Sequence, residues 1–279
     1  MAAGSCAFVL GGGGLLGSAQ VGMLRALFEA GIEPDMVLGT SVGALNGVAV
    51  AAEPSKVAVE RLEALWSEVR ATDVFAGSLL GRVVNLIRTG VSLHGIGELR
   101  RLVSDAVGAD TRIESLPLPF QCVAARIEDA TEHWFEMGPA VDAVMASCAV
   151  PGLLPPVKVG NHHFYDGGIV NSIPLSRAVA AGARTVYVLQ VGRAGSMLEP
   201  PRRPWEVGLV AFEVARRHRF ATDMSHIPSG VEVHVLPAGP PPSDLRSQLR
   251  YRDATSVADR LRRSYEATVD YLSHQQDRR

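Results

Sequence analysis

Gly39-Thr40-Ser41-Val42-Gly43 follows an apolar run, Met36–Thr40, and leads into an Ala/Val-rich stretch, Val42–Ala52. The run reads as a strand and the stretch as a buried helix. G-x-S-x-G between a strand and a helix is the pattern of a nucleophile elbow. Gly39 and Gly43 supply the small residues that such an abrupt turn needs. Ser41 would then be held in a strained conformation, with its hydroxyl at the positive end of a helix. Upstream, Gly11–Gly14 close a second apolar run, Ala7–Leu10, and open another helical pattern. Glycine lacks a Cβ, so the amides of Gly12, Gly13 and Gly14 can approach an anion closely.

That anion has two candidate identities. Gly12-Gly13-Gly14-Leu15-Leu16-Gly17 satisfies G-x-G-x-x-G literally, which suits a dinucleotide phosphate. A dinucleotide fold also needs an acidic residue near the end of its second strand. Met36–Thr40 leads into Ser41 instead. If both turns end neighbouring strands, they face one cleft, and the glycine amides point at an oxyanion beside Ser41.

A serine nucleophile needs a base. The eight histidines are His94, His133, His162, His163, His218, His226, His234 and His274, and none sits in a catalytic pattern. Asp166-Gly167-Gly168 is more informative, because two glycines present a carboxylate without steric cover. The same residues also read as a D-G hairpin turn. A Ser-His-Asp triad of the α/β-hydrolase type, with Asp166 as acid and His218, His226 or His234 as base, is the alternative. That fold places several strands before its elbow, whereas Ser41 has room for one strand–helix unit before its own strand.

These groups sit in a chain of 279 residues, 47% hydrophobic and 20% charged, with net charge -2. No basic field invites nucleic acid. Cys6, Cys122 and Cys148 are far apart in apolar contexts, as expected of buried thiols in a reducing compartment. No Cys/His cluster has metal-ligand spacing, so no metal is expected. The N-terminus lacks a signal-peptide pattern. The longest apolar stretch is interrupted by Thr40, Ser41 and Asn46. A cytoplasmic protein is expected, with at most transient contact at a membrane surface. The basic clusters Ala215–Arg219 and Asp259–Ser264 read as solvated helix faces or as contacts for anionic lipid heads.

Strand and helix patterns alternate along one expected domain, residues 1–279. After Ser55 as N-cap, Ala58, Leu62, Leu65 and Val69 share a helical face. Phe120–Ala125, Glu132–Met137, Ala183–Val191 and Val231–Leu236 read as strands. Ser172–Ala181, Trp205–Met224 and Thr255–His274 read as helices. Phe75–Val103 is apolar, Gly-punctuated and irregular, either ordinary packing or a cover over a site. The alternation predicts an α/β fold with a largely parallel central sheet covered by helices on both faces.

Four ordered blocks, "GGGGLLG", "GTSVG", "ASCAVPGLLPPV" and "DGGIVNSIP", resemble the patatin-like phospholipase family. The resemblance is best over residues 8–192 and looser beyond, where the helices at 205–224 and 255–274 would complete the domain. It implies a catalytic dyad without histidine: Ser41 as nucleophile, Asp166 as base, and Gly12, Gly13 and Gly14 as the oxyanion hole. It implies lipid acyl-ester hydrolysis through an acyl-enzyme, of phospholipase A, lysophospholipase or simple esterase type, with no metal and no organic cofactor. Family members commonly carry Arg or Lys where this chain has Leu16. The expected substrates are therefore lipids or simple carboxylic esters rather than phospholipids strictly. Val150, Leu153 and Leu154 are candidates to line an acyl pocket.

Overall fold

In a computed structural model of the chain, the described residues are 5–72, 97–191, 204–239 and 256–276, with 198, 200 and 201. His94, Gly192, parts of both proline-rich loops and most of the stretch expected as a cover lie outside them.

The N-terminal third forms as its patterning predicts. β1 (Cys6–Leu10) is followed by α1 (Ser18–Glu29), β2 (Met36–Thr40), α2 (Val42–Ala52) and α3 (Lys56–Thr72). The Ser55 hydroxyl caps α3 by accepting the Val57 N–H at 3.2 Å. α4 (Gly97–Val107) occupies the end of the stretch read as irregular; its sparse apolar spacing buries only Leu102 and Val103. β3 (Phe120–Arg126), β4 (Thr131–Phe135), α5 (Ala140–Ser147), β5 (Val157–Val159) and β6 (His162–Asp166) follow.

A short helix, α6 (Gly168–Asn171), comes next, and the helix expected over Ser172–Ala181 forms as α7 (Leu175–Ala180), starting three residues late. Pro174, at the N-cap of α7, explains the late start: it has no N–H to donate, and it disfavours helical backbone at Ile173. Asp166 ends a strand and Gly168 starts a helix, so the hairpin-turn reading of Asp166-Gly167-Gly168 does not hold. β7 (Thr185–Leu189), α8 (Pro204–Ser225), β8 (Glu232–Val235) and α9 (Ser256–Gln276) complete the described elements.

All eight strands join one sheet. β1 lies between β2 and β7, parallel to both, with β8 parallel beyond β7 and β3 parallel beyond β2. Alternation along the strands feeds two cores. Phe8, Leu10, Val37 and Leu189 face a core built with α1–α5 and α9. Ala7, Val9, Met36, Leu38 and Val188 face the other, with Leu175 and Ala178 of α7 and Phe220 of α8. The sheet is thus covered on both faces, as the alternation predicts.

The register at β3 matters most. β4 pairs antiparallel with Cys122–Arg126. β2 pairs with Phe120–Val123, and β6 pairs antiparallel with Ala124–Arg126. A strand has two edges, and β4 fills one along its length. β2 and β6 must therefore share the other, end to end. Thr40 sits opposite Val123 and Asp166 opposite the next residue, Ala124. The two strands run toward each other, and the chain leaves both at the point where they meet.

Behind this junction, α9 packs on α1 at Gly22. A Cβ there would come within 2.2 Å of the Leu261 carbonyl oxygen and 2.3 Å of Ser264 Oγ. Gly22→Val should force these helices apart and lower unfolding free energy by about 1–3 kcal/mol or more. Urea denaturation measures this, and an unchanged midpoint would contradict the packing described.

Candidate active site

Ser41 leaves β2 with φ 55 and ψ -126, one of two non-glycine residues with positive φ among those described. Such a conformation costs about 1–3 kcal/mol and persists only where neighbours over-determine it. Two glycines make the turn sterically possible. A Cβ on Gly39 would lie 2.4 Å from the Gly43 oxygen, and one on Gly43 would lie 2.1 Å from the Leu10 oxygen. Hydrogen bonds then hold the turn. The Ser41 N–H donates to Ser147 Oγ at 2.9 Å, and Thr40 Oγ1 donates to the Asn171 carbonyl at 2.9 Å. The Ser41 carbonyl accepts the Ala44 N–H at 2.8 Å, closing the first turn of α2. The Ser41 side chain therefore sits at the positive end of that helix.

Asp166 ends β6 across the junction and is 4% exposed. Its Oδ1 accepts the Gly168 N–H at 2.7 Å. Its Oδ2 is buried and accepts no hydrogen bond. Burial pushes its pKa up from 3.8 to about 6, while the nearby Ser41 hydroxyl and the Gly168 amide act against that rise. Ser41 is close enough to favour the charged carboxylate, although no well-formed hydrogen bond joins the two in this geometry. The Cys148 thiol lies beside both groups, and burial followed by the Asp166 charge raises its pKa well above the ordinary value.

The glycine loop closes the third side. The Gly11 N–H donates to Leu189 O at 3.1 Å and the Gly12 N–H to Ser172 O at 2.9 Å. Gly12 is thus not free as an anion donor, which corrects the expectation of three donors. Its amide finishes the join between the loop and the segment after α6. Among the described residues no such backbone bond takes the amides of Gly13 and Gly14, and Gly14 turns the chain with φ 54. A buried polar chain fixes the loop from behind. Gln20 donates to Gly11 O at 2.8 Å and to Leu189 O at 2.9 Å. Asn46 donates to Gly17 O at 3.0 Å and to Gln20 Oε1 at 2.8 Å, and Trp66 Nε1 donates to Asn46 Oδ1 at 3.1 Å. Sequence reasoning overlooked Gln20 as well as Ser147. Asn46, a lone amide in the apolar Val42–Ala52, was the available signal.

An apolar cleft opens in front of Ser41. Its walls include Leu15, Leu45 of α2, Leu65 and Trp66 of α3, Leu102 of α4, and Val150, Leu153 and Leu154. The structure so brings the three residues expected to line an acyl pocket beside Ser41. No described histidine lines this cleft. His218 and His226 are exposed on and just after α8, and buried His234 on β8 contacts Tyr271 and Glu232. No group of three His, Cys, Asp or Glu side chains among the described residues has the arrangement of a metal site. No helix among them is long and apolar enough to cross a membrane.

The profile of the patatin-like phospholipases matches residues 8–179. This chain belongs to that family. Relatives include Lysophospholipase NTE1 of Saccharomyces cerevisiae, 31% identical over 203 residues, covering 72% of this chain and 11% of the relative. Lysophospholipase NTE1 of Mycosarcoma maydis is 35% identical over 67% of this chain and 10% of its own length. Patatin-like phospholipase domain-containing protein 7 of Rattus norvegicus is 32% identical over 67% of this chain and 13% of its own. The chain therefore spans about a tenth of the length of these relatives. Among solved structures, VipD from Legionella pneumophila is a remote likeness, with TM-score 0.46 and 14% identity over 98% of this chain and 67% of that one.

In this patatin-like chain, Asp166 binds its proton more tightly when folded than when unfolded. Its contribution to stability is complete below about pH 4 and is lost as pH rises through about 6. The difference between 3.8 and about 6 corresponds to about 3 kcal/mol. Asp166→Asn, which carries no charge, should therefore gain up to about 3 kcal/mol at pH 8 and lose the parent's decline between pH 4 and 6. Chemical denaturation across this range measures both, and equal pH dependence in the two proteins would contradict the buried charge.

Proposed function

We propose that this protein hydrolyses carboxylic ester bonds of lipids through an acyl-enzyme on Ser41, with Asp166 as general base. The observation that carries the proposal is the junction on β3, where a strained, nearly buried serine faces a buried carboxylate with one oxygen unpartnered. Family membership and relatives named lysophospholipases support the reaction class.

The steps use the chain's own groups and water. Asp166 Oδ2 takes the Ser41 proton as Oγ attacks the ester carbonyl. The charge passes to the carbonyl oxygen, where the amides of Gly13 and Gly14 and the N-terminus of α2 stabilise it. The intermediate collapses, Asp166 returns the proton to the leaving alcohol, and the acyl group stays on Ser41. Water then attacks the acyl-enzyme with Asp166 again as base, releasing the acid. An ordinary aspartate is a poor base near neutrality. Burial raises this one to about 6, still ionised at pH 7 and closer to the operating range.

The apolar cleft suits an acyl chain. Leu15 and Leu16 add no cation to the loop, so lipids and simple carboxylic esters both fit the proposal, with contact at a lipid surface transient.

Ser41→Ala and Asp166→Asn should each lower p-nitrophenyl ester hydrolysis by at least about 10³-fold. In the parent, kcat/KM should rise with pH through about 6 and then level as Asp166 ionises. Substituting His218, His226 or His234 should leave the rate within a few-fold. Full activity in Ser41→Ala, or a thousand-fold loss at one histidine, would overturn the dyad.

A further inference from the structure

The segment Ser147-Cys148-Ala149, at the end of α5, touches both halves of the junction. Ser147 Oγ accepts the Ser41 N–H at 2.9 Å and donates to the Val123 carbonyl at 2.7 Å. The Ser147 carbonyl accepts the Gly167 N–H at 3.2 Å. The Ala149 carbonyl accepts the Asp166 N–H at 2.9 Å. One short stretch thus ties the backbone of the serine, the backbone of the aspartate and β3, the strand that both flanking strands pair with. Ser147 is 0% exposed, and its hydroxyl is the only side-chain oxygen in the segment.

From these contacts we infer that Ser147 is a positioning residue, whose hydroxyl holds Ser41 in register with Asp166 for proton transfer. The inference rests on the dyad proposed above. The physical reason lies in the turn itself. Ser41 sits at positive φ, so its backbone relaxes unless something holds it. Its N–H finds its acceptor in Ser147 Oγ. Without that acceptor, the N–H is buried unpaired and the elbow shifts to recover a partner. Val123 is the residue opposite Thr40 in the ladder, so the same hydroxyl references the elbow to β3 at the point where β2 ends.

The segment also runs straight into the cleft. Cys148, Val150, Leu153 and Leu154 line it, while Leu154 is folded back by its N–H to the Val150 carbonyl at 2.9 Å. Ser147 therefore stands behind a wall that a substrate touches without touching substrate itself. Its loss should affect turnover far more than binding.

Ser147→Ala should lower kcat for a p-nitrophenyl ester by about 10²-fold, the cost of a misplacement on the order of 1 Å, with KM within about threefold. The acid limb of its pH profile should also move to higher pH, because the Ser41 hydroxyl is one of the groups holding the Asp166 pKa down. Among the described residues, the titratable side chain facing Asp166 is Cys148, which stays neutral across that limb. Ser147→Thr, which keeps the hydroxyl, should retain most of the parent kcat, and it carries the test if Ser147→Ala does not fold. Parent kcat in folded Ser147→Ala, a rise in KM that accounts for its whole defect, an unmoved acid limb, or equal loss in Ser147→Thr would each overturn the inference. Ser41→Ala in the same assay keeps the outcomes distinct: if it is as active as the parent, the dyad fails first.

Discussion

Three strands need the edges of β3, and β3 has two. β4 runs along one of them, so β2 and β6 divide the other between them, pairing with Phe120–Val123 and Ala124–Arg126. Neither can extend, since each blocks the other. Both chains must turn out of the sheet at the same place, and the residues at the exits are Ser41 and Asp166. The proximity of residues 125 positions apart in sequence is thus a consequence of strand register. It does not depend on a mobile loop closing over the site.

Holding that junction together is costly, and the surrounding structure offsets the cost. Ser41 keeps a positive φ because Gly39 and Gly43 let helix α2 and the end of β1 approach closer than any Cβ allows. Asp166 keeps a buried carboxylate with one oxygen free of hydrogen bonds. Two cores and a buried polar chain from Trp66 through Asn46 and Gln20 to Gly11 make the region stiff enough to tolerate both. Strain and desolvation lie side by side here, and the buried Asn171 Oδ1 and Ser172 Oγ also lack hydrogen bonds, a combination that marks a candidate site for chemistry.

Much of this was legible in the sequence, for identifiable reasons. Met36–Thr40 and Val42–Ala52 form as the strand and helix that their patterning predicts, because local periodicity and the small residues around Ser41 act over a few positions. The walls at Val150, Leu153 and Leu154 followed from the family blocks. What escaped depends on partners far away. Nothing near Gly12 announces that its amide meets the Ser172 carbonyl, and nothing near Ser147 announces the Ser41 N–H, 106 positions distant. The strands Val157–Val159 and His162–Asp166 are short and rich in charged and histidine residues, so periodicity left them hidden. Pro174 is visible in the sequence, and it moves the start of the expected helix from Ser172 to Leu175.

On the proposed mechanism, this register makes Ser41, and no other side chain, the group that is acylated. The most direct test is an acid-quenched reaction with a p-nitrophenyl ester, followed by peptide mass spectrometry of the enzyme. The acyl mass should appear on the peptide containing Ser41 and accumulate far more slowly in Asp166→Asn. Acyl mass on a histidine or on Cys148, with Ser41 unmodified during turnover, would contradict that mechanism.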